Sequence, residues 1–115
     1  MAYGQEYSTF RSTAVTNAAT AITTGTCVVF GYNIVNRHTA DIFVKLYDVA
    51  AASVVVGTTT PKETIQVVAN QSVVLRDGDR GVRFLTASSV AVTTESADTG
   101  TTAPATLPII HIFYD

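Results

Sequence analysis

The chain has 115 residues and a formal net charge of −2, which suits one domain without a block of basic residues, so direct nucleic-acid binding is not expected. Charged residues make up 14% of the chain, whereas soluble domains average about 25%, and this deficit indicates that copies of the chain or a larger partner cover part of its surface. No apolar run is long enough to span a membrane, and residues 1–15 show no signal peptide.

Strand-forming residues dominate the chain, with nineteen threonines and sixteen valines and no sustained helical stripe. Residues 1–26 have no clear periodicity, but they contain Tyr3, Tyr7, Phe10 and Arg11. Tyrosine and arginine are enriched among interface anchors. We therefore interpret this segment either as an arm that docks on a partner or as a first strand that places its aromatics in its own core. Residues 27–115 are predicted to form a β-sandwich domain.

The clearest strand is predicted over residues 27–35, with alternating side chains that put one apolar set on a single face: Val28, Phe30, Tyr32 and Ile34. A four-residue turn should then lead into a second strand over residues 40–48. In that strand Ile42, Val44 and Leu46 are expected to face the core. The two strands are predicted to pair as a hairpin.

The opposite face of the second strand carries Phe43, Lys45 and Tyr47. This face is apolar enough to rest against a neighbouring protein. Together with Tyr3, Tyr7, Phe10 and Arg11, these three residues are the predicted partner-binding residues.

Further short strands are predicted along the rest of the chain, separated by turn clusters, at residues 54–56, 62–68, 72–75, 82–87, 90–94 and 109–114. Pro61 can precede a strand because proline is tolerated at a strand's first residue. The pattern predicts an all-β protein, an antiparallel β-sandwich of about seven to eight short strands. Both a jelly-roll and an immunoglobulin-like topology fit, since strand order cannot be read from the pattern.

The triplet Asp98-Thr99-Gly100 matches the signature of aspartic proteases. Those enzymes need two carboxylates that share one proton, held where buried strands meet. Here the residues before the triplet are polar, and too few residues follow it to build the rest of such a site. We therefore expect Asp98 to lie in a polar loop, and no catalytic residue is predicted.

Metal and cofactor sites are not expected either. Residues 77–81 resemble a calcium loop but lack the bidentate acid that such a loop requires, so a hairpin turn is predicted. The single cysteine, Cys27, excludes an internal disulfide and is expected to be an apolar strand residue. His38 is expected to be exposed in a turn, whereas His111 should be a half-buried interface residue or a pH-sensitive one.

Three segments resemble small all-β structural proteins from the virions of tailed bacteriophages: GYNIVNRHTADIFVKLYD at 31–48, TPKETIQV at 60–67, and TTAPA at 101–105 before the last strand. The resemblance spans residues 27–115. It implies a capsid decoration (cement) protein, often a homotrimer, that binds the major capsid protein on the outer capsid surface and bridges capsomers. Such a protein would be made in the host cytoplasm and would not be an enzyme. No residue role is carried over.

An alternative is a receptor- or carbohydrate-binding head module of a phage fibre or tailspike, in which exposed aromatic side chains stack on sugar rings. This alternative is less favoured than the decoration role, because the chain has no tryptophan and most of its aromatics lie within predicted strands.

Overall fold

The computed structural model describes residues 7–76 and 81–115. Within these ranges the chain forms nine β-strands and one short 3-10 turn, Ala51–Ser53, so the predicted all-β class is confirmed. The strands are β1 Ser8–Ser12, β2 Thr20–Thr23, β3 Cys27–Val35, β4 Ile42–Tyr47, β5 Glu63–Val67, β6 Ser72–Arg76, β7 Val82–Phe84, β8 Ser88–Thr93 and β9 Ile109–Tyr114.

The strands form two antiparallel sheets. Sheet A has the order β1-β9-β3-β6, with β7 pairing β3 alongside β6, and sheet B has the order β2-β8-β4-β5. The pairs are nested along the chain: β1 with β9, β2 with β8, β3 with β6 and β7, and β4 with β5. This is the order obtained when one long hairpin is rolled into two sheets, which is a jelly roll. Of the two topologies left open by the sequence, the jelly roll is the one formed.

The predicted hairpin between β3 and β4 is wrong, although both strands exist close to their predicted positions. β3 lies in sheet A and β4 in sheet B, so the chain crosses between the sheets at residues 36–41. Ile34 and Ile42 are both fully buried and enter the same core from opposite sheets. A short polar connection can either close a hairpin or span the roughly 10 Å between packed sheets. Inward and outward side chains alternate along the strands in both cases, so the sequence pattern does not distinguish the two.

The prediction that Val28, Phe30, Tyr32 and Ile34 share one face of β3 is wrong, because the inward side changes along the strand. Cys27 and Val29 are buried in the first half, whereas Ile34 is buried in the second half. The pairing with β9 shifts between Val29 and Gly31, and a bulge of this kind changes which side chains point inward. Gly31 is required next to the bulge because a Cβ there would collide with the carbonyl oxygen of Leu75.

Later strands are close to prediction, with two differences. Residues 54–56 form no strand, because the carbonyl of Val55 instead accepts turn hydrogen bonds from the amides of Thr58 and Thr59. The strand predicted over 82–87 ends at Phe84. The next three backbone N–H groups donate to the carboxylate of Asp48, from Leu85 at 2.9 Å, Thr86 at 2.8 Å and Ala87 at 3.4 Å.

The core lies between the two sheets and draws on both. Ile42, Val44 and Leu46 of β4 face it, as predicted from their spacing. Its buried members are Val15, Cys27, Val29, Ile34, Ile42, Val44, Leu46, Ile65, Val67, Phe84, Val90, Val92, Ile110 and Ile112. Residues 1–26, left open by the sequence as an arm or a first strand, contribute β1 to sheet A and β2 to sheet B.

One buried asparagine ties together two crossings between the sheets, β3 to β4 and β5 to β6. The side-chain amide of Asn36 donates to the carbonyl oxygens of Ala40 at 3.0 Å, Val67 at 3.0 Å and Val68 at 3.2 Å. Its Oδ1 accepts from the amide of His38 at 2.8 Å. Asn36 is almost wholly buried, and its hydrogen bond to Val67 is buried as well, so the Val67 carbonyl has little access to water as a substitute.

Asn36→Ala should destabilise the fold by about 2 kcal/mol, because it leaves the buried carbonyl of Val67 without a donor and removes two partly buried hydrogen bonds. Asn36→Asp should be at least as harmful, since it keeps the acceptor for His38 but puts a carboxylate against carbonyl oxygens. Urea unfolding gives the change in free energy. Asn33→Ala, at a half-buried position on the outer side of sheet A, is the matched control and should change stability by less than about 0.5 kcal/mol. Equal effects at both positions would contradict the role given to Asn36.

Asp48→Asn should lower the free energy of unfolding at neutral pH. It should also make that free energy depend less on pH in the acid range. Burial alone would raise the pKa of Asp48, but the N–H groups of residues 85–87 and the Lys62 ammonium at 3.9 Å outweigh it, so the pKa lies below its ordinary value. A carboxyl with a lowered folded pKa stabilises the fold above its unfolded pKa, and this contribution is lost as pH falls through the folded pKa.

Urea unfolding of the wild-type protein should therefore show a loss of stability between about pH 5 and about pH 2. The Asn variant should start about 1–2 kcal/mol lower at pH 7 and decline less steeply. Asp98→Asn, at an exposed carboxylate, serves as the control. An unchanged acid slope in Asp48→Asn would show that this carboxylate does not anchor the β7–β8 connection.

Candidate protein-binding surface

The outer face of sheet A is formed by the side chains that alternate with core residues along its strands, and we call it face A. In β9, Ile110 and Ile112 are buried in the core, so His111 and Phe113 point outward. The register of the neighbouring strands extends this face on both sides. Face A consists of Tyr7, Thr9, Arg11, Val28, Phe30, Asn33, Val35, Ser72, Val74, Arg76, Arg83, Ile109, His111 and Phe113.

Two stacked pairs give face A a defined shape. The rings of Tyr7 and Phe30 are 4.7 Å apart, centre to centre, and tilted by 33°. The guanidinium of Arg76 lies 4.9 Å from the centre of the Phe113 ring. Gly31 pairs with Arg76 on one side and with Phe113 on the other. Because Gly31 has no side chain, Arg76 can reach across β3 to the Phe113 ring. Such contacts hold aromatic and arginine side chains in place before a partner arrives.

Face A has the composition of a protein interface. Val74 is 56% exposed and Tyr7 is 39% exposed, whereas Phe30 and Phe113 are half-buried. Arginine and aromatic residues are enriched at interface centres, and lysine and glutamate are depleted; the strand residues of face A include neither of the latter. Face A is therefore the candidate protein-binding surface of the described residues.

The outer face of sheet B is covered by the chain itself. It carries Phe43, Lys45 and Tyr47, and the last two are fully buried. Residues 94–102, which we call the covering loop, contact this face, and the Lys45 ammonium donates to the carbonyl of Ala97 at 2.6 Å. Lys45 and Tyr47 therefore cannot present a surface to another protein, because the neighbour against which they rest is a loop of the same chain.

Internal hydrogen bonds shape the covering loop. The carboxylate of Glu95 accepts from the hydroxyl of Thr102 at 2.7 Å and from its amide at 3.0 Å. These two hydrogen bonds, of which the one from the hydroxyl has the larger effect, lower the pKa of Glu95 below its ordinary value. The amide of Thr94 donates to the carbonyl of Thr102 at 2.9 Å, which closes the base of the loop.

Contacts on both sides hold the covering loop against the sandwich. The side-chain amide of Asn17 donates to the carbonyl of Thr101 at 2.7 Å. On the other side Gly57, with φ of +94°, lies against Thr99 and Thr101. This φ favours glycine, and a side chain at Gly57 would also collide with Thr101.

The covered polar groups are strongly desolvated. Burial lowers the pKa of Lys45, although the charges of Asp98 and Glu95 oppose that effect. Burial, followed by the charge of Asp98, raises the pKa of Tyr47. Its hydroxyl is buried without a hydrogen-bond partner in the part of the chain that the structure describes.

The other predicted partner-binding residues fall in different places. Tyr3 lies outside the described residues. Tyr7 and Arg11 are exposed on face A, whereas Phe10 points inward and packs against the core. Phe43 is half-buried on the outer side of sheet B. The structure thus brings Tyr7 and Arg11 together on face A and separates them from Phe43.

Sequence reasoning missed Phe30, Arg76, Arg83 and Phe113. Outward orientation of Phe113 could have been inferred from the alternation of β9, in which Ile110 and Ile112 point opposite to His111. The outward position of Phe30 could not, because it depends on the bulge in β3.

The remaining candidates show no arrangement for catalysis. Asp98 is exposed in the covering loop, as predicted, within a turn that the amide of Gly100 closes by donating to Ala97 at 3.0 Å. Cys27 is buried in β3, also as predicted, and its thiol donates to the hydroxyl of Ser88 at 3.3 Å. His38 is half-buried, contrary to expectation, since its backbone is bound by Asn36.

His111 is half-buried on face A, with Nδ1 at 3.2 Å from the carbonyl oxygen of Asn33.

The predicted turn at 77–81 falls mostly outside the described residues. Residues 7–76 and 81–115 contain no cluster of three or more histidine, cysteine, aspartate or glutamate side chains that could hold a metal ion. Over the same ranges, no helix has the length and apolar character needed to cross a membrane.

No model of a known protein family matches the chain, and no curated protein matches it. A solved structure from a study of Bacillus endospore appendages, which form a family of disulfide-linked pili, is similar to this chain. The identity is 20%, the TM-score is 0.45, and the match covers 95% of this chain and 83% of that chain. So distant a likeness carries no functional argument, and the resemblance to phage virion proteins stays a prediction.

Lys45→Met should leave the free energy of unfolding within about 1 kcal/mol of wild type, because the lost hydrogen bond is offset by no longer burying an ammonium group. The covering loop should open more often, since Ala97 loses its donor. Hydrogen exchange of a peptide spanning residues 94–102 should therefore be faster. Lys62→Met, at a partly exposed lysine beside Asp48, should leave that exchange unchanged. If both variants exchange like wild type, Lys45 does not hold the loop.

Proposed function

We propose that this chain is a non-enzymatic structural protein that acts as a subunit of a larger protein assembly, most specifically as a capsid decoration protein of a tailed phage. The observation that carries the proposal is face A, a surface of stacked aromatic and arginine side chains on the outside of a jelly roll. The low content of charged residues, 14%, adds support, because a surface that is covered in an assembly needs less charge.

The proposed mechanism is mechanical. A compact sandwich that binds the major capsid protein on the outer surface of the shell, as a homotrimer, would bridge neighbouring capsomers and add contact area that resists internal pressure. The described residues suit this role physically, since Asn36 ties two crossings between the sheets together and the covering loop is bound to the sandwich. Face A is the surface through which we expect the chain to meet its neighbours in the assembly.

The decoration role predicts that Val74→Glu lowers the occupancy of the protein on particles and the temperature at which those particles lose their DNA. Val74 is 56% exposed on face A, so the change should alter binding rather than folding. Val68→Glu, 47% exposed at the β5–β6 crossing, is the matched control and should behave like wild type. Quantitative gels of purified particles and a DNA-release melt provide both measurements. Particles equally robust with and without the protein would overturn the role.

A receptor- or carbohydrate-binding head module is the second candidate, favoured by the exposed ring of Tyr7 on Phe30. Saturable binding to a glycan array, lost in Tyr7→Ala, would support this function instead of capsid decoration.

A further inference from the structure

Charged side chains of opposite sign lie on face A and on the covering loop, whereas Lys62 pairs with Asp48 elsewhere on the sandwich. Face A carries Arg11, Arg76 and Arg83, all exposed, with Asp115 at its margin. On the opposite side the covering loop presents the carboxylates of Glu95 and Asp98. The Lys45 ammonium beneath them is buried. One broad side is therefore basic and aromatic, and the other carries acidic groups.

We infer that face A of one copy binds the covering loop of a second copy of this chain. This inference rests on the proposed role as an assembly subunit and names the partner of the same surface. The arginines of face A would lie against Glu95 and Asp98 of the next copy, and the apolar residues between those arginines would be removed from water.

Charge decides between two possible interfaces of identical copies: face A against face A, and face A against the covering loop. An interface of face A against face A would set arginines against the same arginines, and like charges brought together across an interface are costly. An interface of face A against the covering loop pairs opposite charges. Because these surfaces lie on opposite sides of the sandwich, the resulting interface is heterologous.

The molecule is large enough for such an interface. Its principal extents are 43 × 30 × 20 Å, and the shortest is close to the thickness expected for two stacked sheets with their side chains. Each broad side can therefore supply the roughly 800 Å² per partner that a specific interface buries.

A heterologous interface either closes into a ring or continues as a filament. Because the two surfaces lie on opposite sides of the subunit, successive copies stack nearly in a line, which favours a filament or a large ring over a ring of three. The charge pattern alone determines the pairing of surfaces, whereas the rotation between copies determines which of the two assemblies forms.

The test uses the purified full-length chain, treated with nuclease, in light scattering and sedimentation. At about 50 mM NaCl the mass should exceed the 12.2 kDa of one chain, and the dissociation constant should rise about tenfold or more as salt shortens the range of the charge interactions at about 500 mM. Arg11→Glu/Arg83→Glu and Asp98→Arg, each tested alone, should be shifted toward the monomer. Arg11→Lys/Arg83→Lys and Asp98→Glu keep the charges and should assemble like wild type.

Mixing the two reversed variants gives the sharpest result. The acidic face A of one then meets the basic loop of the other, and the unchanged surfaces also match, so assembly should return only in the mixture. Circular dichroism of each variant confirms that the fold is kept; if a reversed variant is unfolded, the salt series on the wild-type chain decides.

Several results would overturn the inference. A wild-type chain that stays monomeric at low salt would do so, as would an assembly that is sensitive to the arginine change but not to Asp98→Arg, since that pattern indicates face A against face A. Arginine-dependent binding of a DNA duplex probe would assign face A to nucleic acid. A monomeric chain that still stabilises particles would sink this inference alone and leave the proposed function standing.

Discussion

The insertion of β9 between β1 and β3 is the constraint on which the rest of the structure depends. Ser8 pairs with Tyr114 and Val35 pairs with Ile109, so the last strand of the chain is the middle of sheet A. β8 has the same place in sheet B, between β2 and β4. Neither sheet is complete without these two strands, because β9 joins β1 to β3 and β8 joins β2 to β4. The crossings between sheets follow from this arrangement, as does the need for Asn36 to satisfy the buried backbone carbonyls where two of them meet.

The same rolled arrangement makes the two outer faces unequal. The long connection between β8 and β9 must pass from sheet B to sheet A, and on its way residues 94–102 fold over sheet B. The chain thereby covers Lys45 and Tyr47, at the cost of desolvating both, and the carbonyl of Ala97 compensates only the lysine. On sheet A, in contrast, Val74 and Tyr7 remain substantially exposed. The outer face of sheet A therefore stays open, whereas much of the outer face of sheet B is covered.

This asymmetry is the basis of the proposed assembly role. The desolvated groups that often mark an active site are, here, the lysine and tyrosine beneath a loop that is bound to the sandwich on both sides. The surface with organised aromatic and arginine side chains is broad and stacked, as protein interfaces are. Face A carries arginines and the covering loop carries carboxylates, so the two sides of the subunit differ in charge. Two different, complementary sides are what identical subunits need to join head to tail.

The sequence by itself determined the fold class and the positions of most strands, because alternation with period two and turn residues are local properties. It determined the limits of Cys27–Val35 and Ile109–Tyr114, the inward face of β4, and the loop position of Asp98. Only the tertiary structure decided that β3 and β4 part into different sheets, that a bulge turns Phe30 outward, and that Lys45 is covered while Phe113 is not. The physical reason is distance along the chain. Strand partners and covering segments come from tens of residues away, and a side chain's burial depends on what lies over it as much as on its own polarity.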